Sequence, residues 1–207
     1  MTKGRLITIE GVEGVGKSTN IALVRTLLEE RGYEVVLTRE PGGTQTGERI
    51  REILLDKEEQ AMTAMTELLL MFAARSQHVS EVIVPALAAG RWVISDRFTD
   101  SSYAYQGGGR ELGIETVAAL ESLVLGDFRP DLTIVLDVDV ATGLERATRE
   151  SEADRFESEQ ASFFQRVRET FLRLAQADRY RVIDAGQPIE KVQVDLTEVI
   201  LEFIDGH

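Results

Sequence analysis

GVEGVGKST, residues 11–19, lies between the β-branched run RLITIE (5–10) and a helix-length stretch, and its reading decides the fold. Gly11, Gly16, Lys17 and Ser18 satisfy the pattern G-x-x-x-x-G-K-[ST]. Glycines here free the backbone to aim successive N–H groups at phosphate oxygens, while the lysine reaches the β- and γ-phosphates and the serine hydroxyl reaches Mg²⁺. A helix starting near Lys17 adds the positive end of its dipole at the same place. The strand before and helix after are the context that separates this pattern from a glycine-rich turn with a surface lysine. One variable position, Glu13, is a carboxylate inside an anion-binding loop. Its charge calls for a cation from elsewhere in the chain.

Outward from the loop, short β-branched runs alternate with helical patterns. RLITIE (5–10), YEVVLT (33–38), RWVISD (91–96), DLTIVLDV (131–138) and YRVIDA (180–185) read as strands. Helices are predicted over 17–31, 45–56, 63–89, 113–126, 140–150, 158–178 and 189–204, with Gly32, Gly90 and Gly126 as C-terminal stops. Strands separated by helices require crossover connections, so the expected class is α/β: a five-stranded, mainly parallel sheet flanked by helices, with ligands beyond the carboxyl ends of the strands. The 207 residues, 43% of them hydrophobic, suffice for one sizeable core, and no repeat or linker divides them, so 1–207 reads as a single domain. Gly107-Gly108-Gly109 and the charged stretch Glu150 to Glu159 read as mobile loops.

Composition excludes several classes of function. With 23 Lys and Arg against 36 Asp and Glu, the net charge of −13 repels a polyanion, so no nucleic-acid partner is expected. The chain has no cysteine, which rules out a disulfide framework, thiol redox chemistry and cysteine-ligated metal. MTKGRLITIEG lacks an apolar segment followed by a small-residue cleavage site. The longest apolar run, Leu68 to Ala74, falls far short of the roughly 20 residues needed to span a bilayer. A cytoplasmic protein with no membrane partner is the expectation.

A phosphate loop serves switches, motors and small-molecule kinases alike, so the other strand ends must choose among them. No Asn-Lys-x-Asp follows a later strand to read guanine. After the second strand, TREPGGTQTGERIR (38–51) joins a basic residue, an acid, a Pro-Gly-Gly turn and a helix carrying Arg51. Read alone, it is equally a turn before an exposed charged helix. After the third strand, DRFTDSSYAYQGGGR (96–110) opens with Asp96-Arg97. Such a pair can set a carboxylate near a metal or its waters and a planar guanidinium against phosphate.

Together, IEGVEGVGKST (9–19), TREPGGT (38–44), SDRFTDSSYAYQGGGR (95–110), GDFRPDLTIVLDV (126–138) and DAGQP (184–188) resemble the corresponding blocks of bacterial thymidylate kinases, in order and nearly end to end. The Pro-Gly-Gly and the Asp-Arg to Tyr-Gln-Gly blocks are more specific than the phosphate loop. The resemblance implies a P-loop kinase, active as a homodimer, that phosphorylates dTMP to dTDP from Mg-ATP for dTTP synthesis. Carried over, Gly11, Val12, Glu13, Gly14, Val15, Gly16, Lys17, Ser18 and Thr19 hold ATP, with Lys17 on the transferred phosphoryl group. Ser18 and Asp96 serve Mg²⁺; Arg97 and Arg51 hold the dTMP phosphate, with Glu10 or Glu40 orienting it. A phosphate monoester is already a nucleophile near neutral pH, so no catalytic base is assigned.

In the same resemblance, the thymine pocket draws on ELLLMFAARSQH (67–78), where Arg75 bonds the base. The stacking position is Met71 by family spacing and Phe72 by residue type, with ordinary core packing as the alternative for both. Ser102, Tyr103 and Gln106 line the nucleoside, Gln106 on the thymine edge and Tyr103 against the sugar's 2′ position. Tyr103 and Tyr105 as packing aromatics is the other reading. Pro41 supplies an apolar wall, and the DAGQP turn borders the adenine.

ERATRESEADRFE (145–157) carries Arg146, Arg149 and Arg155 among carboxylates. By itself it is a solvated helix end; in the resemblance it is the lid that closes over ATP, excludes water and brings arginine to the phosphates. The family divides by whether that arginine stands in the phosphate loop or in the lid. Glu13-Gly14-Val15 holds none, which implies the lid-arginine type, with Glu13 turned from the phosphates toward a lid or acceptor-side arginine. His78 and His207 receive no role. Another P-loop nucleotide or nucleoside kinase, and a nucleotide-binding regulatory switch, remain as alternatives. The predicted helix 63–89, apolar around much of its circumference through Ala74, fits burial against a second subunit or within the core.

Overall fold

The computed structural model describes residues 4–56, 62–150, 155, 156 and 159–206, the side chains of residues 149 and 150 excepted. Strands β1 (Leu6–Glu10), β2 (Val35–Arg39), β3 (Trp92–Asp96), β4 (Leu132–Asp137) and β5 (Tyr180–Asp184) form one sheet in the order β2-β3-β1-β4-β5, every neighbouring pair parallel. Side chains alternate across it with the two-residue period of a strand. Leu6 and Val93 enter one hydrophobic cluster with Ile83 and Phe98, whereas Ile7, Ile9, Trp92 and Ile94 enter a larger one with Val24, Val167 and Leu196. Thr8 and Glu10 share the face of Leu6 by that period, which sends the Glu10 carboxylate into the interior.

Around the sheet lie α1 (Lys17–Glu30), α2 (Gln45–Leu55), α3 (Ala64–His78), α4 (Val84–Ala88), α5 (Thr99–Ser102), α6 (Ile114–Leu125), α7 (Val140–Glu150), α8 (Ala161–Leu174) and α9 (Ile189–Asp205). The predicted helix 63–89 is not uniform: a π-helical turn, Val79–Ile83, joins α3 to α4. Pro85 at the start of α4 has no N–H to donate back to Glu81, and the wider turn absorbs the missing bond. Thr44 and Thr63 cap α2 and α3, their hydroxyls accepting the N–H groups of Gly47 at 2.9 Å and Thr66 at 3.2 Å. By contrast, α1 follows Gly16, in the left-handed region at φ 80°, with no side-chain cap.

The reading of Gly107-Gly108-Gly109 as a mobile loop is corrected: Tyr103–Gly109 is a π-helical segment continuing α5, buried against α8. A Cβ on Gly108 would come within 2.1 Å of Thr170 Oγ1, so glycine serves close helix packing here. Of the second expected loop, Glu150 ends α7, Arg155, Phe156 and Glu159 are also described, and Arg155 and Phe156 are buried. Among the described residues no helix is long and apolar enough to cross a membrane.

Candidate active site

In a parallel sheet all strands end on the same side, so Glu10, Arg39, Asp96 and Asp137 gather at one rim. There Glu13, Gly14 and Lys17 of the phosphate loop face Glu40, Pro41, Arg51, Met71, Arg75, Asp96, Arg97, Ser102 and Gln106 across a single cavity of about 250 Å³. The loop and the residues after β2 and β3 are thus brought together as the strand-end argument requires.

On the loop side, Lys17 Nζ donates to the carbonyls of Gly11 and Val12 at 3.4 and 3.2 Å. Burial, and after it the positive charge of Arg97, push this ammonium down from the ordinary 10.5 to about 8. A bound phosphate would oppose that shift, because its charge favours the ammonium form. Glu13 turns to the acceptor side: its Oε1 accepts from Arg97 Nη2 at 3.0 Å, and the Tyr105 hydroxyl donates to its two oxygens at 2.7 and 2.9 Å. The cation that offsets the carboxylate in the loop is therefore Arg97. Burial keeps the Tyr105 phenol protonated well above its ordinary range, so it remains a donor to Glu13.

Arg97 adopts φ 69°, a left-handed conformation uncommon outside glycine. Its N–H donates to Ile9 O at 3.0 Å, and its own carbonyl accepts from Ser95 Oγ at 2.7 Å. The guanidinium, bonded also to Gly11 O and Ser101 Oγ at 3.0 Å, lies 4.8 Å from the Tyr105 ring. Strain of this kind persists where surrounding bonds over-determine it. Beside it, Asp96 Oδ1 is buried without a hydrogen-bond partner.

Arg75 is pinned on three sides. Its Nε donates to Glu40 Oε2 at 2.7 Å, Nη1 to Ser102 Oγ at 3.0 Å and Nη2 to Phe98 O at 3.0 Å. The other Glu40 oxygen bonds His78 Nδ1 at 2.9 Å, and His78 Nε2 meets Thr38 Oγ1 at 2.5 Å. His78, given no role from sequence, is thus a buried tie between β2, α3 and the loop carrying Glu40. Across a cis peptide bond follows Pro41, whose carbonyl accepts from Arg51 Nη1 at 3.0 Å.

Several assignments change. Met71 walls the cavity, whereas Phe72 packs with Leu68, Tyr103 and Val117 and lies 4.6 Å under the Arg75 guanidinium. Tyr103 also turns from the cavity, its hydroxyl donating to Glu121 Oε2 at 2.8 Å; Tyr105 takes the wall instead. Read as a helix, the segment would have shown this: Ser101 with Tyr105 and Ser102 with Gln106 are four apart on one face. Glu10 does not reach the cavity to orient a phosphate. Its oxygens accept from Phe98 N–H at 2.7 Å and Ser101 Oγ at 2.6 Å, and burial, then Asp100, raise it to about 8.

Of the lid arginines, Arg146 donates to Ala185 O at 2.9 Å, joining α7 to the DAGQP turn. Arg155 is buried, with Nε on Leu54 O at 2.8 Å and Nη2 on Glu67 Oε2 at 2.6 Å. Neither lines the cavity, while the neighbouring Phe156 and Ala147 do. The Arg149 side chain and His207 lie outside the described residues. Sequence reading passed over Glu67, Leu55, Ala147 and Phe156, which carry no motif.

A family model described as thymidylate kinase matches residues 9–196, from β1 into α9. A thymidylate kinase of Alkalilimnicola ehrlichii is 56% identical over 203 residues, 97% of this chain and 94% of that protein. One of Pseudomonas fluorescens is 55% identical over 204 residues, 98% of this chain and 97% of its own length. One of Teredinibacter turnerae is 51% identical over 203 residues, 97% of this chain and 99% of that protein. A phosphate loop facing an arginine-lined cavity, on a chain that matches these proteins along its length, leaves one conclusion: the chain belongs to the thymidylate kinase family.

Proposed function

We propose that a single P-loop kinase domain transfers the γ-phosphoryl group of ATP to dTMP, giving dTDP and ADP, in the cavity between Lys17 and Arg97. One observation carries the site reading: Lys17, Arg51 and Arg97 line the same cavity as Arg75 and Gln106. Three cations suit two phosphate groups brought end to end, and the cavity continues into hydrogen-bonding groups for a base. Lys17 would neutralise the transferred group, while Arg97, held by Glu13 and Tyr105, and Arg51 would seat the acceptor phosphate. Positioning and charge neutralisation supply the rate enhancement, because the acceptor oxygen is already nucleophilic near neutral pH. Met71 and Pro41 offer the base an apolar wall, and Arg75 the donors.

Mg²⁺ usually keeps waters and takes one or two carboxylates together with substrate phosphates. Among the described residues no group of three acidic or His side chains forms a cage, but the partnerless Asp96 Oδ1 and the exposed Ser18 fit that mode. Held there, Mg²⁺ would neutralise phosphate charge. A cytoplasmic homodimer belongs to the same reading, and the half-exposed Leu69 on α3 supports that helix as the contact.

A coupled ADP-release assay across dTMP, dUMP, dCMP, AMP and GMP tests the reading, with the highest kcat/KM expected on dTMP. Faster turnover of another acceptor would overturn it.

A further inference from the structure

Gln106 is fully buried, and only one end of its amide is engaged. Nε2 donates to Glu67 Oε1 at 2.8 Å, whereas Oε1 is buried without a partner in a residue that walls the cavity. An orphaned buried acceptor is uncommon and marks a place where something else supplies the donor. Glu67, fully buried on α3, lies behind the wall and does not line the cavity. Its carboxylate also accepts from Arg155 Nη2 at 2.6 Å and from Arg110 Nε at 3.2 Å.

A carboxylate offers only acceptors, so the amide NH₂ of Gln106 must face it, and the carbonyl must face away. We propose that Glu67 is a specificity-determining positioning residue: by fixing the Gln106 amide it presents an acceptor to the base and selects a 2,4-dioxopyrimidine, whose N3 carries hydrogen, over a cytosine-type ring, whose N3 carries a lone pair. A flipped amide would present NH₂ and invert this preference. Arg75, donors only, suits a carbonyl at the adjacent ring position and not an exocyclic amine. Arg110 and Arg155 keep the carboxylate in place from its other sides. The proposal rests on the cavity being the dTMP site.

The test measures kcat/KM for dTMP, dUMP and dCMP in four variants. Glu67→Gln can donate or accept, so the amide is free to turn; the dTMP:dCMP preference falls about tenfold or more, since a misfit hydrogen-bonding edge is strongly rejected only when the site's groups are fixed. The dTMP:dUMP ratio stays, because both rings carry N3–H. Glu67→Asp retains the charge, retracts the carboxylate by one methylene, and lowers the dTMP:dCMP preference by a smaller factor; it serves if Glu67→Gln fails to fold. Arg5→Met, which breaks the ion pair with Asp131 at the opposite end of the sheet, controls for stability and keeps both ratios. Gln106→Leu removes the acceptor itself and collapses the dTMP:dCMP preference. An unchanged preference in the Glu67 variants, with Gln106→Leu collapsing it, overturns the proposal and leaves the base site standing. An unchanged preference in Gln106→Leu overturns the base site as well.

Discussion

On one side of the cavity the proposed phosphate site is made by consecutive residues, 11–19, with the backbone and one lysine as its binding groups. On the other, Arg51, Arg75, Arg97 and Gln106 come from α2, α3, the end of β3 and the π-helical segment, and buried side-chain bonds hold them. The first is specified mainly by local conformation, its glycines at positive φ. The second is a network in which Glu40, Glu67 and Glu13 each tie down an arginine or an amide. A substitution of Lys17 should therefore act on chemistry, whereas Glu13 belongs to both sides and substitutions on the second should act on binding and stability together.

The most direct way to sharpen this contrast is Lys17→Met. Loss of one charge aimed at the transferred phosphoryl group is expected to lower kcat about 10²–10³-fold. The KM for dTMP and the melting temperature should change little, as steady-state kinetics and thermal denaturation would show. A large rise in the dTMP KM would mean the two sides are not separable.

Gly108→Ala breaks the second side from a distance. Its Cβ would meet Thr170 at 2.1 Å and force the π-helical segment from α8, costing about 1–3 kcal/mol of stability. Because that segment carries Tyr105 and Gln106, the KM for dTMP should rise while ATP affinity, read by titration, holds.

Glu10 gives an effect visible only against pH. Its proton is held in the folded state to about 8, against the ordinary 4.5, so the folded chain binds more protons than the unfolded chain between those values. Stability from this group is present below pH 4.5 and is lost as pH rises through about 8. Glu10→Gln keeps an acceptor for Phe98 N–H without titrating. Its melting temperature relative to the unaltered chain should climb from pH 5 to 8, and a flat difference would remove Glu10 from the pH account.

The sheet, its parallel sense and the phosphate loop were legible in sequence because each rests on near neighbours: β-branched runs, a helix after a glycine turn, the spacing of Gly11, Gly16 and Lys17. Arg51, Arg75, Arg97 and Gln106 could be named as candidates through resemblance. Their partners could not, since Glu67 and Gln106 are 39 residues apart and Glu13 and Arg97 are 84 apart. Tyr105 and not Tyr103 walls the cavity because Tyr103–Gly109 folds as a π-helix, which three successive glycines argue against locally. Only packing on α8 reverses that preference, because the contact of Gly108 with Thr170 exists only once both helices are in place. Sequence alone thus determined the glycine loop proposed to hold phosphate, a property of consecutive backbone groups. Tertiary structure decided which side chains face the acceptor and which cation answers Glu13, because burial and hydrogen bonding between distant segments fix side-chain direction.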